Sequence, residues 1–180
     1  MRQVALFLLV VACALPPPAQ LHAQALSRAQ LLSAARDVMS AAPFVAFATV
    51  DEQGRPAVRA MDALAPDGDL IVWFATNPRS RKVSQLRADP RVALHYLDAD
   101  GPGYVTLNGV ARLVEDPALK AGHWKEAWTP FYTDRDASVI LIEVTPLWVE
   151  VVSVPHGANG DPDDWRADIV EFVEGSSGCW

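Results

Sequence analysis

Cysteine is scarce in this 180-residue chain, with only Cys13 and Cys179. Two cysteines so far apart make no disulfide framework and join no zinc-type cluster. Histidine is scarce too, at positions 22, 95, 123 and 156, and no pair has metal-ligand spacing. There is no Gly-x-Gly-x-x-Gly and no Walker loop, which argues against a dinucleotide enzyme. No nucleophile–base pair stands out, so nothing suggests a hydrolase. Positive charge is in deficit, with 15 Lys and Arg against 22 Asp and Glu and a net charge of −7. That balance excludes the broad basic face used for nucleic acid. Long apolar runs are missing after the first residues. Val4–Leu15 would reach about 18 Å as a helix, short of the ~30 Å needed to span a bilayer.

What is present is a core. Hydrophobic residues make up 51% of the chain and charged residues 21%, a balance that folds. The length suits one domain. Arg2, the apolar run, Pro16-Pro17-Pro18 and Ala23-Gln24-Ala25 read as a secretory signal over residues 1–25. Residues 26–180 then form a single mature domain, periplasmic or secreted. A rival reading takes Val10-Val11-Ala12-Cys13 as a lipobox, which would anchor the chain to a membrane at Cys13. Cys179, beside the C-terminus, has no assigned role.

Along the mature part, Leu26–Ala42 has helical periodicity, with Ser27 placed to cap it. Phe44–Val50 and Ala57–Leu64 read as a hairpin across Asp51-Glu52-Gln53-Gly54. Leu70–Thr76 is a third strand, too continuously apolar for a surface position. Ser80–Ala88 is a short helix, stopped by Asp89-Pro90. Val92–Leu97 and Tyr104–Val114 are strands, the second with Gly109 marking a bulge or a close approach. Pro117 opens a helix expected to run to about Trp128. It carries Trp124 and Trp128 on one face, for which packing is favoured over a place at a pocket mouth. Ser138–Val144 and Trp148–Val154 read as two strands and Ile169–Val173 as a last one. The pattern is mainly β, a small antiparallel barrel with short helices, with a sandwich as the alternative.

One segment reverses the acidic character of the chain. Thr76-Asn77-Pro78-Arg79-Ser80-Arg81-Lys82 leaves a buried strand and opens a helix. Hydroxyls, cations and free helix-terminal amides within one turn make a chemically sensible phosphate cradle; a solvated helix start is the plain alternative. Arg59 and Met61 share one strand face, and Arg59 near Lys82 would give a phosphate two cations. His95, mid-strand, reads as a core or interface residue.

These segments carry a resemblance. Phe44-Val-Ala-Phe-Ala-Thr-Val-Asp-Glu-Gln-Gly-Arg-Pro56, Arg59-Ala60-Met61, Trp73-Phe74-Ala75-Thr76-Asn77 with Ser80-Arg81-Lys82, and Asp89-Pro90-Arg91-Val92 resemble the flavin-binding split-barrel superfamily. That is the superfamily of pyridoxamine 5′-phosphate oxidase and of general stress protein 26-like proteins. Gly109-Val-Ala-Arg-Leu-Val and Val170-Glu171-Phe172 also fit, so the likeness covers about residues 28–174. The Thr-Asn-x-x-x-Ser-Arg-Lys piece is its most specific part, although the oxidases have one fewer spacer residue there.

The resemblance implies a six-stranded antiparallel split barrel acting as a homodimer, with FMN at the subunit interface. It implies that Arg59 and Lys82 hold the FMN phosphate, assisted by Ser80 and Arg81. Thr76 would bond the phosphate or ribityl chain, and the backbone of Ala60, Met61 and Asp62 would lie along the isoalloxazine edge. An FMN-dependent oxidoreductase follows, acting on a small molecule outside the cytoplasm. The alternative is a non-catalytic stress protein binding flavin, a deazaflavin or haem, with His156 as the haem ligand. A third reading keeps the barrel only as a dimerisation scaffold. Departures from the oxidases are clear. Tyr104 stands where they place a flavin-contacting glutamine. The expected substrate-gripping segment does not follow Val173, although Trp165-Arg166 could close over the site. A true pyridoxamine phosphate oxidase is therefore not expected. No catalytic residue and no metal are assigned.

Overall fold

The computed structural model describes residues 25–172. The proposed leader, apart from Ala25, lies outside those residues, as do Cys13 and Cys179. Helix α1 (Arg28–Ala41) starts at a capping box. The Ser27 hydroxyl accepts from the Gln30 amide, and the Gln30 side chain accepts from the Ser27 amide, so two otherwise orphaned donors are met. Its buried stripe is Leu31, Ala34, Ala35, Val38 and Met39. Extended Ala42 ends the helix ahead of Pro43, which disfavours helical backbone in the residue before it.

The strands are β1 (Val45–Val50), β2 (Pro56–Met61), β3 (Val72–Thr76), β4 (Arg91–Leu97), β5 (Gly103–Val114), β6 (Ile140–Ser153) and β7 (Asp168–Glu171). They form one antiparallel sheet in the order β2-β1-β4-β5-β6-β3, with β7 pairing β6 beside this path. Among the described residues, the two ends of the path, β2 and β3, are joined by one isolated bridge, between Ala63 just after β2 and Phe74, where Leu64 N donates to Trp73 O at 2.9 Å. The result is the expected split barrel of six strands in path order, with short β7 added. Phe47 and Phe74 meet edge to face inside it, ring centres 5.0 Å apart. Every residue of β3 is buried. Val72 and Phe74 face the main core, whereas Trp73 and Ala75 face a second cluster with Leu141, Val139 and Trp128.

Two expectations need correction. The helix expected from Pro117 to Trp128 is broken into α3 (Pro117–Gly122) and a 3₁₀ turn over Glu126–Phe131. Gly122 closes α3, and His123 leaves helical geometry at φ −115° and ψ 51°. Trp124 and Trp128 still meet edge to face at 5.7 Å, so packing survives the loss of the shared helix face. The two strands expected around Pro146 are one strand, β6. A proline cannot donate to a ladder and is out of place inside a regular strand. In the fold Pro146 sits at a bulge, where Gly109 pairs with Pro146, Asn108 pairs with Trp148, and Leu147 is the extra residue. Gly109 is required there by space, since a Cβ would lie 2.3 Å from the Thr145 carbonyl oxygen.

Candidate functional site

Helix α2 (Arg81–Ala88) follows β3 through the turn Asn77–Ser80 and lies against β1. Its first turn contains Arg81 and Lys82 and no acid. Cations at the positive end of a helix are unfavourably placed unless an anion joins them. Ser80 occupies the cap position but makes no capping bond. Its hydroxyl instead lies 3.3 Å from Thr76 Oγ1, which also accepts from Lys82 Nζ at 2.9 Å. Thr76 is buried at the end of β3, so it fixes the ammonium group of a lysine that is itself half-buried.

Arg59 approaches from β2. Alternation along β2 turns Arg59 and Met61 inward and leaves Val58 and Ala60 exposed, as their shared strand face implied. The Arg59 guanidinium donates to Thr49 Oγ1 at 2.7 Å, to Phe47 O at 3.2 Å and to Gln85 Oε1 at 3.0 Å. All of these acceptors are neutral. Burial, with the Arg81 charge second, holds the Arg59 pKa below its ordinary value. Burial, with the Arg59 charge second, does the same to Lys82. Among the described residues, none of Arg59, Arg81 and Lys82 joins an ion pair. The structure therefore gathers three like charges beside a positive helix end, and among the described residues no carboxylate pairs with them. An anion with several acceptor oxygens would resolve that repulsion.

The structure thus brings Arg59, Thr76, Ser80, Arg81 and Lys82 into one cluster. Ala60 and Met61 end β2 and Asp62 follows it; among the described residues β2 forms a strand ladder with β1 alone and so stands at an edge of the sheet. The Asp62 side chain is committed to structure: it bonds Lys125 Nζ, and its other oxygen accepts from Trp128 Nε1 at 2.9 Å. This ties the segment after α3 to the end of β2. Thr49 and Gln85 went unnoticed in the sequence, because each belongs to the site only through Arg59.

Other candidates take different places. His156 turns Nδ1 to Ser153 Oγ at 2.7 Å and Nε2 toward Asp37 at 3.6 Å, so both ring nitrogens face protein partners rather than a haem iron. His95 stands on the outer face of β4, with Nδ1 2.9 Å from Thr106 Oγ1 and its ring 5.2 Å from Tyr104. It borders an apolar trough of about 520 Å³ that also includes Phe44, Val58, Ala60 and Leu97. Trp165 is exposed in the loop before β7. Among the described residues no group of His, Cys, Asp and Glu could hold a metal ion.

Comparison with known proteins bears on this arrangement. The profile of the pyridoxamine 5′-phosphate oxidase family matches residues 31–153. General stress protein 26 of Bacillus anthracis superposes with a TM-score of 0.64 at 17% identity, covering 79% of this chain and 99% of that one. A protein related to general stress protein 26 from Clostridium acetobutylicum gives 0.66 at 20% identity, covering 79% and 94%. A structure described as an F420 reductase gives 0.51 at 25% identity, covering 63% and 94%. No functionally curated protein matches the chain.

Proposed function

The chain belongs to the pyridoxamine 5′-phosphate oxidase family, and from that premise we propose that it is an FMN-binding, oxidoreductase-like protein. The observation that carries this reading is the unneutralised cluster of Arg59, Arg81 and Lys82 at the start of α2. A phosphate monoester offers the charge and acceptor oxygens that this cluster lacks. Arg59 and Lys82 hold the phosphate, Ser80 and Arg81 assist, and Thr76 anchors Lys82. The sheet edge at Ala60, Met61 and Asp62 borders the ring. A bound flavin supplies hydride or electron transfer, while the protein supplies binding and orientation.

Two copies of the chain meet through the outer face of β2, β1 and β4 in this reading. Phe44, Val58 and Leu97 are 64%, 64% and 69% exposed there, more apolar surface than an isolated barrel needs. Residues 1–25 direct the chain out of the cytoplasm, which N-terminal mass analysis of the mature protein tests. The substrate is a small molecule other than pyridoxamine phosphate, given Tyr104 in the glutamine position.

The likeness to an F420 reductase favours a second reading, in which the phosphate belongs to a deazaflavin. Titrations with FMN and with F420 separate the two. The double variant Arg59→Ala, Lys82→Ala should lose retained flavin, seen as loss of the ~450 nm band after desalting. A double variant as yellow as the parent overturns the phosphate assignment.

A further inference from the structure

Beneath the cation cluster lies a buried polar pair from two other elements, Thr49 of β1 and Gln85 of α2, 2% and 8% exposed. Arginine can only donate, so Thr49 Oγ1 accepts from Arg59 Nη1 at 2.7 Å. The threonine's own proton then reaches Gln85 Oε1 at 2.7 Å, the Ala57 carbonyl being farther at 3.3 Å. The same Gln85 oxygen accepts from Arg59 Nη2 at 3.0 Å. Arg59, Thr49 and Gln85 close a ring of hydrogen bonds, and two donors aimed at one atom fix which end of the Gln85 amide faces them.

A carboxylate at position 85 would bind the guanidinium more strongly than an amide does. It would also cancel the charge that an anion must meet. A neutral amide and a hydroxyl hold Arg59 in place and leave its charge unspent. We propose that Thr49 and Gln85 are positioning residues that make the site selective for phosphorylated over unphosphorylated ligands, Gln85 by holding Arg59 without neutralising it. This rests on the phosphate reading of the Arg59–Lys82 cluster and adds to it the part of the fold that keeps the cluster charged.

The test uses the full-length protein with FMN and riboflavin, which differ only in the phosphate. Gln85→Glu keeps the size and both acceptor contacts but adds a charge beside Arg59. FMN affinity should fall about tenfold or more, riboflavin affinity should stay within about twofold, and the ligand-free protein should melt no lower than the parent. A merely structural role would lower both affinities and the melting temperature together. Thr49→Val removes one support without changing charge, and should cost FMN severalfold while sparing riboflavin. It keeps the proposal testable if Gln85→Glu does not fold. Lys82→Ala is the reference. If Lys82→Ala loses the FMN preference while Gln85→Glu and Thr49→Val keep it, the Gln85–Thr49 proposal fails and the phosphate reading stands. If the parent protein shows no preference for FMN, both fall.

Discussion

At the residue scale, the ligand-free protein places its cations at a cost. Lys82 is partly buried beside Arg59, and its pKa lies below the ordinary 10.5 for the first of those reasons more than the second. The sign follows from proton counting. Between the depressed folded value and 10.5 the unfolded chain binds more protons, so stability rises with pH in that window. Below the window both states are protonated and the penalty is constant. The Lys82 contribution to ligand-free stability should therefore grow as pH climbs toward 10.5, against the opposite pull of buried Tyr96 and half-buried Tyr132, whose pKa values are raised, while affinity for FMN falls as the amine loses its charge. Lys82→Met should remove both trends. It should raise the ligand-free melting temperature and weaken FMN binding about tenfold, a trade of stability against function. Thermal melts and titrations over an alkaline pH series check this.

The same scale shows what the sequence could disclose. Arg59, Arg81 and Lys82 were legible because their charge runs against an acidic composition, and Ser80 because the spacing fits a strand–turn–helix. Thr49 was not. In Phe47-Ala-Thr-Val50 it reads as an ordinary strand former, and its partner Gln85 lies 36 residues away. Such a contact is created by α2 packing on β1, and no local pattern reports it. Asp62 was legible as a position and not as a role. Its commitment to Lys125 and Trp128 depends on how the segment after α3 folds back.

At the scale of elements, periodicity and turn residues located the hairpin, α1, α2 and the close approach at Gly109 in β5. They failed where one residue type has two uses. Pro146 reads as a terminator, yet it occupies a bulge in the middle of β6, where a missing amide is tolerated. The helix expected from Pro117 to about Trp128 passes over Gly122, and Gly122 ends it. The bulge itself is testable. Gly109→Ala would press a methyl group onto the Thr145 carbonyl, a backbone atom that cannot swing away. It should destabilise the protein by about 3 kcal/mol in denaturant titration. A loss near zero would mean that β5 and β6 can shift at this point.

For the whole molecule, a sheet that closes at one bridge leaves an apolar outer face on β2, β1 and β4 next to Arg59. A dimer formed through that face would cover it and shelter the ligand. Val58→Glu with Leu97→Glu should yield a monomer in sedimentation and reduce flavin retention, although neither side chain belongs to the cation cluster. A dimer that persists in this variant would place the subunit contact elsewhere.

The most direct measurement is a side-by-side calorimetric titration of the purified protein with FMN and with riboflavin. Recognition of the phosphate by Arg59, Arg81 and Lys82 requires FMN to bind at least about a hundredfold more tightly, since charge-assisted contacts to a dianion are lost with riboflavin. Equal affinities, or no binding of FMN, would contradict the assignment of this cluster as the phosphate site.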